Sequence, residues 1–228
     1  MILNIETSSK RCSVAITHEG EVKFRMVSDC EMDHSARLAP FVDEALRQLK
    51  LHDAKLEAVA VSMGPGSYTG LRIGLSLAKG LCFGSDLPLI GIPTLELMAT
   101  KALFAMGPLP EGALFIPMID ARRMEVYTAA YDEGLRQVVE PQPMILSEES
   151  YKEFAERPII LIGDGAEKAL PVLPFTPIAV YPEMPLAEDM TALSERALRK
   201  GDFLDIAYST PFYLKNFQAT TPKNKIFV

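Results

Sequence analysis

The chain has 228 residues, an apolar fraction of 48% and a formal net charge of −7 at pH 7. This length and apolar content allow one large domain or two small ones, with a sizeable core. The acidic balance argues against a chain that holds nucleic acid alone, because affinity for phosphate backbones comes from clustered lysines and arginines. Another subunit would therefore hold most of any bound nucleic acid.

The N-terminus and the cysteines predict a cytoplasmic protein. No basic segment precedes an apolar leader, and no run approaches the roughly 18 apolar residues that cross a membrane. Cys12, Cys30 and Cys82 are odd in number and form no CxxC pair, which predicts buried free thiols in a reducing compartment.

The first half of the chain predicts three strands, a helix, a strand and a second helix. Alternating or continuous apolar runs mark the strands, and apolar residues at helical spacing mark the helices. The elements are strands over 1–6, 12–18, 21–27 and 56–63, a helix of about four turns opening at the candidate N-cap Ser35, and a glycine-containing helix over 71–83.

The second half of the chain repeats part of this pattern. A strand at 88–94 and a helix at 95–106 precede a proline-rich interruption, after which one strand runs into Asp120 and another covers 125–131. The two strand–turn–strand arrangements suggest an internal duplication. A buried strand at 159–162 and a late helix at 191–199 complete a second copy that is smaller and poorer in helix.

The segment MGPGSYTGLRIG, at residues 63–74, admits two interpretations. Backbone N–H groups at a helix N-terminus can bind an anion, but neither the Lys-Ser or Lys-Thr of a Walker loop nor GxGxxG spacing is present. Alternatively, the glycines let a helix pack closely on another backbone. Each helix glycine costs about 1 kcal/mol relative to alanine, which favours close packing, either internal or across a subunit boundary.

Two polar turns end strands in corresponding places. Glu6, Thr7 and Ser8 follow the first strand, where a hairpin can present hydroxyl and N–H groups to a phosphate, although polar turns are common. Asp120, Arg122 and Arg123 occupy the equivalent place in the second half. The arginines either reach a phosphate or a partner's carboxylate, or form a solvated turn.

Catalytic motifs are not recognisable. His34 precedes the first helix, but the position four residues on, where a second metal ligand would stand, is Leu38. No serine or cysteine stands in a nucleophile elbow. A metal site and a hydrolytic triad are therefore not predicted, and a peptidase activity is disfavoured.

Six segments in order resemble the bacterial TsaB (YeaZ) family, within the actin, Hsp70 and sugar kinase superfamily of duplicated ribonuclease H-like domains. The segments are ILNIETSS, DHSARLAP, VAVSMGPGSYTGLRIGLSLAKGL, GIPTLELMA, MIDARRMEVYTAAYD and PFYLKN. The resemblance spans essentially the whole chain. It implies an α/β fold with two ribonuclease H-like lobes, the second truncated: residues 1–98 plus 187–228, and residues 99–186.

The resemblance implies a non-catalytic subunit of a tRNA-modifying complex. TsaD, a paralogue of this family, transfers threonylcarbamoyl to the adenosine next to the anticodon of ANN-decoding tRNAs, and carries an HxxxH metal pair where this chain has only His34. The chain would bind and activate TsaD in a complex that also contains the ATPase TsaE. No cofactor is expected; ATP in the complex would not be turned over by this chain.

The resemblance also implies an interface for TsaD, or for a homodimer when the chain is alone, on the two long helices. The predicted interface residues are His34, Leu38, Val42, Leu71, Gly74, Leu75, Ala78 and Leu81. The tRNA would be held mainly by TsaD, with added phosphate contacts from basic residues of this chain. Those residues are Arg122, Arg123, Lys215, Lys223 and Lys225.

The runner-up function is an actin-like nucleotide-binding ATPase or phosphotransferase. Glu6, Thr7, Ser8 and Asp120 would then surround a magnesium nucleotide, because carboxylates beside phosphate hairpins supply what such chemistry needs. In the non-catalytic interpretation the same residues, with Arg122 and Arg123, are a vestigial phosphate site.

Overall fold

A computed structural model describes residues 1–28, 30–31 and 33–215. The chain forms two five-stranded mixed sheets. The elements of the first sheet and its helices are β1 Ile2–Glu6, β2 Ser13–His18, β3 Glu21–Val27, α1 His34–Leu51, β4 Ala58–Gly64, α2 Tyr68–Ser85 and β5 Leu89–Pro93. The predicted Lys223, Lys225 and the tail beyond residue 215 lie outside the described residues.

The second sheet begins after a connecting helix. Its elements are α3 Thr94–Ala105, β6 Leu114–Asp120, β7 Glu125–Asp132, β8 Gln137–Ile145, β9 Ile159–Ile162, α4 Ala166–Ala169, β10 Ala179–Tyr181 and α5 Thr191–Lys200. Two single 3-10 turns, Lys152–Phe154 and Ala187–Met190, complete the regular structure of this part.

The two sheets have the same strand order. The first runs β3-β2-β1-β4-β5 and the second β8-β7-β6-β9-β10, so each places its first strand at the centre. In both, the first three strands pair antiparallel and the last two join in parallel. The predicted α/β fold with two ribonuclease H-like lobes is confirmed, and the shared order supports the internal duplication.

The second lobe is truncated in its helices. The first lobe inserts α1 between β3 and β4, and α2 between β4 and β5, each of 18 residues. The equivalent connections of the second lobe contain the three-residue 3-10 turn and the four-residue α4. The residue boundaries predicted for the lobes stay a prediction.

Several local predictions need correction. Ser35 lies inside α1, which begins at His34 after the N-cap Asp33 and runs for five turns, not four. β8 and β10 were not predicted; β8 is an edge strand that contains Pro141 and Pro143, and proline disfavours strand assignment except at edges. Cys12 and Cys82 are buried as predicted, but Cys30 is exposed.

Each face of the sheets is covered by a different set of elements. α1 and α2 pack on one face of the first sheet. On the opposite face, Met190 and Leu193 pack against strand residues that include Ile2, Ile90 and Ile92. α3 lies between the sheets, with Leu97 in that cluster and its other buried side chains against the second sheet. In the described part of the chain, no helix combines the length and apolarity needed to span a membrane.

Candidate functional site

The turn after β1 is covered by the glycine segment. The backbone N–H of Ser67 donates to the Ser8 carbonyl oxygen at 2.7 Å. Ser67 caps α2, and its hydroxyl accepts from the Gly70 N–H at 3.2 Å. A Cβ added at Gly70 would lie 2.1 Å from the Thr7 carbonyl oxygen, so only glycine permits this approach. The predicted close packing is therefore internal, between α2 and the first turn.

The residues of the first turn are buried. Glu6, Thr7 and Ser8 are 0%, 0% and 2% exposed. The N–H of Ser8 donates to Oε1 of Glu6 at 2.5 Å, which closes the turn on itself. In this structure α2 and its preceding loop cover the turn, and a vestigial phosphate site at these three residues stays a prediction.

Glu6 is the most perturbed carboxyl group in this turn. Desolvation by burial raises its pKa to about 7, and hydrogen bonds from Ser8 and Ser62 oppose the shift. Among the described residues, Oε2 of Glu6 and the hydroxyls of Thr7 and Ser8 have no hydrogen-bond partner. The turn therefore holds a carboxyl group whose burial favours the protonated form.

The turn after β6 is closed by a lysine. Lys168, on α4, pairs with Asp120 and donates to the carbonyl oxygens of Arg123, at 2.9 Å, and Glu125, at 2.6 Å. Desolvation raises the pKa of Asp120, but the hydrogen bonds from Lys168 and from the Arg122 N–H together outweigh it and lower the pKa. The Lys168 ammonium group is therefore the cation that neutralises the Asp120 carboxylate.

The two arginines of this turn have unusual backbone conformations. Arg122 and Arg123 have φ values of 68° and 51°, in the left-handed region. Both side chains are exposed, and neither forms an ion pair with a described residue. The predicted roles of these residues, a contact with a phosphate or with a partner's carboxylate, or a solvated turn, stay predictions.

A cleft of about 360 Å³ separates the Asp120 turn from the glycine segment. Its lining residues are Pro65, Gly66, Tyr68, Asp120, Ala121, Arg122, Glu125, Tyr127, Phe212, Tyr213, Leu214 and Lys215. Glu6, Thr7 and Ser8 do not line it. The structure thus brings Asp120 and Arg122 to one cleft and leaves the other half of the predicted phosphate site beneath the glycine segment.

An aromatic and cationic cluster forms one wall of the cleft. The rings of Tyr68 and Tyr213 lie 5.1 Å apart. The Arg72 guanidinium lies 4.1 Å from the centre of the Tyr68 ring, and its Nε donates to the Tyr213 hydroxyl at 3.0 Å. On the opposite side, Lys215 pairs with Glu125. Sequence reasoning missed this cluster, because Tyr213 lies 141 residues from Arg72.

Most of the predicted interface residues are buried inside the chain. Their exposed fractions are below 10%; they are His34, Leu38, Val42, Leu71, Gly74, Leu75 and Ala78. Gly74 allows α2 to approach the first turn, since an added Cβ would lie 2.3 Å from Oγ1 of Thr7. These seven side chains pack inside the chain, and their assignment as contact residues stays a prediction. Leu81, which is half-buried, stays a candidate.

His34 has a structural contact in place of a metal. Its Nε2 lies 3.0 Å from the Ser9 carbonyl oxygen, which ties the start of α1 to the first turn. Leu38, in the next turn of the helix, packs into the core. Among residues 1–28, 30–31 and 33–215, no cluster of three or more histidine, cysteine or acidic side chains could hold a metal ion.

Comparisons with known proteins agree on one family. Residues 28–168 match the family model described as TsaD, tRNA N6-adenosine threonylcarbamoyltransferase. The chain is 31% identical to the tRNA threonylcarbamoyladenosine biosynthesis protein TsaB of Escherichia coli K12, over 94% of each protein. It is 35% identical to the Bacillus subtilis protein of the same name over 167 residues, which cover 71% of this chain and 70% of that protein.

A solved structure extends the likeness to the fold. YeaZ from Pseudomonas aeruginosa superposes with a TM-score of 0.80 and 26% sequence identity, covering 93% of this chain and 99% of that chain. The match includes both lobes, since nearly all of each chain takes part in it.

Proposed function

Since this chain belongs to the TsaB (YeaZ) family of tRNA threonylcarbamoyladenosine biosynthesis proteins, we propose that it acts in forming threonylcarbamoyladenosine next to the anticodon of ANN-decoding tRNAs. In this role it is a non-catalytic subunit. It binds a TsaD-type transferase, in a complex with the ATPase TsaE, and supports the transfer that TsaD performs.

The closure of both polar turns is the observation that carries the non-catalytic role. A nucleotide in an actin-like protein needs open backbone N–H groups and a metal-binding carboxylate near its phosphates. Here the N–H groups of Thr7 and Ser8 donate to the Ser62 hydroxyl and to Glu6, and Glu6 is buried. In the second turn, Asp120 is paired with Lys168. These contacts within the chain support the proposal that it does not turn over a nucleotide.

The outer face of α2 is the proposed contact for the partner. Phe83 is 84% exposed, and an added Cβ at Gly80 or Gly84 would meet no atom within 4 Å. Ile73 and Leu77 precede these residues in α2; they are half-buried and pack against the core of the first lobe. This face combines an aromatic anchor with small residues that let another helix approach closely.

The occupant that we propose for this face is the TsaD-type protein. The segment that matches the TsaD family model includes α1 and α2, so the partner has related helices that can pair with them about a pseudo-two-fold axis. A second copy of this chain would use the same face. The homodimer therefore forms only when the transferase is absent.

Reconstitution of the modification tests this role. Unmodified tRNA is incubated with TsaD, TsaE and the adenylate-forming enzyme, with and without this chain, and threonylcarbamoyladenosine is measured by mass spectrometry. Product that depends on the chain is the expected result. Equal product without the chain contradicts the activating role, and ATP hydrolysis by the isolated chain contradicts the non-catalytic one.

Two matched variants test the interface. Phe83→Glu places a charge on the outer face of α2 and should abolish both complex formation in gel filtration and product formation. Phe104→Glu changes a residue of α3 that is 71% exposed, and should leave both unchanged. Equal behaviour of the two variants would contradict the assignment of this face.

A further inference from the structure

The cleft between the glycine segment and the Asp120 turn has no part in the proposed contact with TsaD. We propose that it binds one nucleotide unit of a single-stranded segment of tRNA, with the phosphate on Arg122 and Arg123 and the base against the tyrosines of the cleft. This inference rests on the proposed function for the identity of the RNA, but it concerns a different surface.

The first support is the distribution of charge. The carboxylates of Asp120 and Glu125 are each paired with a lysine, Lys168 and Lys215 respectively. Arg122 lines the cleft and Arg123 follows it, and among the described residues neither pairs with a carboxylate. One further carboxylate lies at this turn: Asp164 accepts a hydrogen bond from the backbone N–H of Asp120 at 2.9 Å.

A third guanidinium strengthens this positive rim. Arg72 contacts Tyr68 and Tyr213, which line the cleft, and forms no ion pair within the described part of the chain. Arg122 lines the cleft and Arg72 contacts two tyrosines of its wall, so two arginines outside any ion pair of the described residues lie at or beside the cleft of a chain with net charge −7. Such a patch attracts a phosphodiester while the rest of the acidic surface repels it.

The second support is the aromatic lining. Tyr68, Tyr127 and Tyr213 all line the cleft, and Arg72 already stacks over one of these rings. Single-stranded RNA is recognised by stacking of unpaired bases on aromatic rings and guanidinium planes. The Tyr68–Arg72–Tyr213 cluster holds these groups in place before the ligand arrives, which reduces the cost of ordering them on binding.

The third support is the backbone of the arginine turn. Consecutive left-handed residues are unfavourable for any side chain with a Cβ, and glycine would avoid the cost. Here the sequence places two long cations at these positions, and their exposed side chains are joined to a turn that Lys168 fixes. Arg122 lines the cleft, and neither exposed arginine is in an ion pair with a described residue.

The volume of the cleft limits which part of an RNA can enter it. About 360 Å³ matches the lower range of small-ligand pockets, which accept one nucleotide and exclude a duplex. Unpaired bases of a tRNA loop can be splayed out for such a contact. A free nucleotide shares this chemistry, so the test must separate the two sources.

Binding of unmodified tRNA to the complete complex with TsaD is the first measurement. The double variant Arg122→Ala/Arg123→Ala should bind about tenfold more weakly at 0.15 M salt. The slope of log affinity against log salt should fall by about 0.7, the contribution of one single-stranded phosphate contact, because both arginines hold the same phosphate. The control is Arg136→Ala/Arg199→Ala, with the same change of charge at two exposed arginines remote from the cleft.

Two further arms make the result decisive. Ultraviolet crosslinking of wild-type complex to tRNA should give nucleotide-modified peptides that contain Tyr127 or Tyr213. Excess ATP should not displace the RNA; displacement would assign the cleft to a free nucleotide and overturn the proposal. Equal affinities and salt slopes for the two double variants, or crosslinks confined to other peptides, would also overturn it.

These experiments distinguish a failure of the cleft proposal from a failure of the proposed activating role. Product formation that depends on the wild-type chain, together with unchanged tRNA binding by Arg122→Ala/Arg123→Ala, rejects the cleft alone. Product formation without the chain rejects the role, whatever the crosslinks show.

Discussion

The two lobes have one strand order but close the turn after their central strand in different ways. In the first lobe, an 18-residue helix brings Gly70 against the backbone of Thr7. In the second, the equivalent α4 has four residues and the side chain of Lys168 fills the turn. The first turn is covered by close packing of one backbone on another, which is rigid. The second turn is closed by an ionic contact at the edge of a cleft. The second turn is therefore the one that a ligand can reach.

The largest effect should come from breaking the first closure. Gly70→Ala places a Cβ 2.1 Å from a backbone oxygen, so the helix must move away from the turn. We expect the free energy of unfolding to fall by more than about 3 kcal/mol, measured by denaturant titration. Gly80→Ala, in the same helix but facing open space, should raise it by up to about 1 kcal/mol. Similar losses of unfolding free energy in both variants would show that helix propensity, and not the close contact with Thr7, determines the effect of the substitution.

The buried carboxyl of the first lobe should make stability depend on pH. Since burial raises the pKa of Glu6 from 4.5 to about 7, the folded state binds the proton more tightly than the unfolded state. The resulting stabilisation is complete below pH 4.5 and is lost as the pH rises towards 7. The expected loss is about 2 to 3 kcal/mol.

The matched variant for this effect is Glu6→Gln, which keeps the acceptor for the Ser8 N–H. Unfolding titrations from pH 4 to pH 8 should lose the pH-dependent component in this variant. Parallel pH profiles for the variant and the wild type would contradict the prediction.

Removal of the lysine should have a smaller effect. Lys168→Met leaves Asp120 without its ion pair and removes one donor from the carbonyl oxygens of Arg123 and Glu125, of which the second keeps the Ala121 N–H. Because the site is partly exposed and water can replace these bonds, we expect a loss of about 1 to 2 kcal/mol. Thermal unfolding checks the value. A loss as large as that of Gly70→Ala would remove the contrast between the two lobes.

The smallest expected effect is a gain. Arg122→Gly relieves one left-handed residue and should raise the free energy of unfolding by about 1 kcal/mol or less. The same variant should bind tRNA more weakly, so stability and RNA binding change in opposite directions. A loss of stability would mean that the arginine side chain supports the turn.

The sequence predicted the elements of the fold better than their contacts. The glycines of residues 63–74 correctly indicated close packing, but their spacing did not reveal which backbone they approach. Helical spacing likewise identified the apolar faces of α1 and α2. It does not distinguish a face that covers the chain's own sheet from one that a partner contacts: Leu38 and Leu71, predicted at the interface, are buried in the chain.

The candidate site was harder to predict because it is assembled from distant segments. Lys168 lies 48 residues from Asp120, and no local motif links them. Tyr213 belongs to a segment without regular structure, and only the fold brings its ring to Tyr68. Arg122 was identified from its position after a strand, which is a local signal.

The covering of the first sheet by Met190 and Leu193 affects the order of events during translation. All five strands of that sheet have been synthesised once residue 93 is added, but part of one apolar face stays uncovered until residues 190–193 emerge. At typical elongation rates, the delay is about 5 to 20 seconds. During this time the nascent chain exposes Ile2, Ile90 and Ile92 to solvent or to a chaperone. The first lobe therefore matures last, although it is made first.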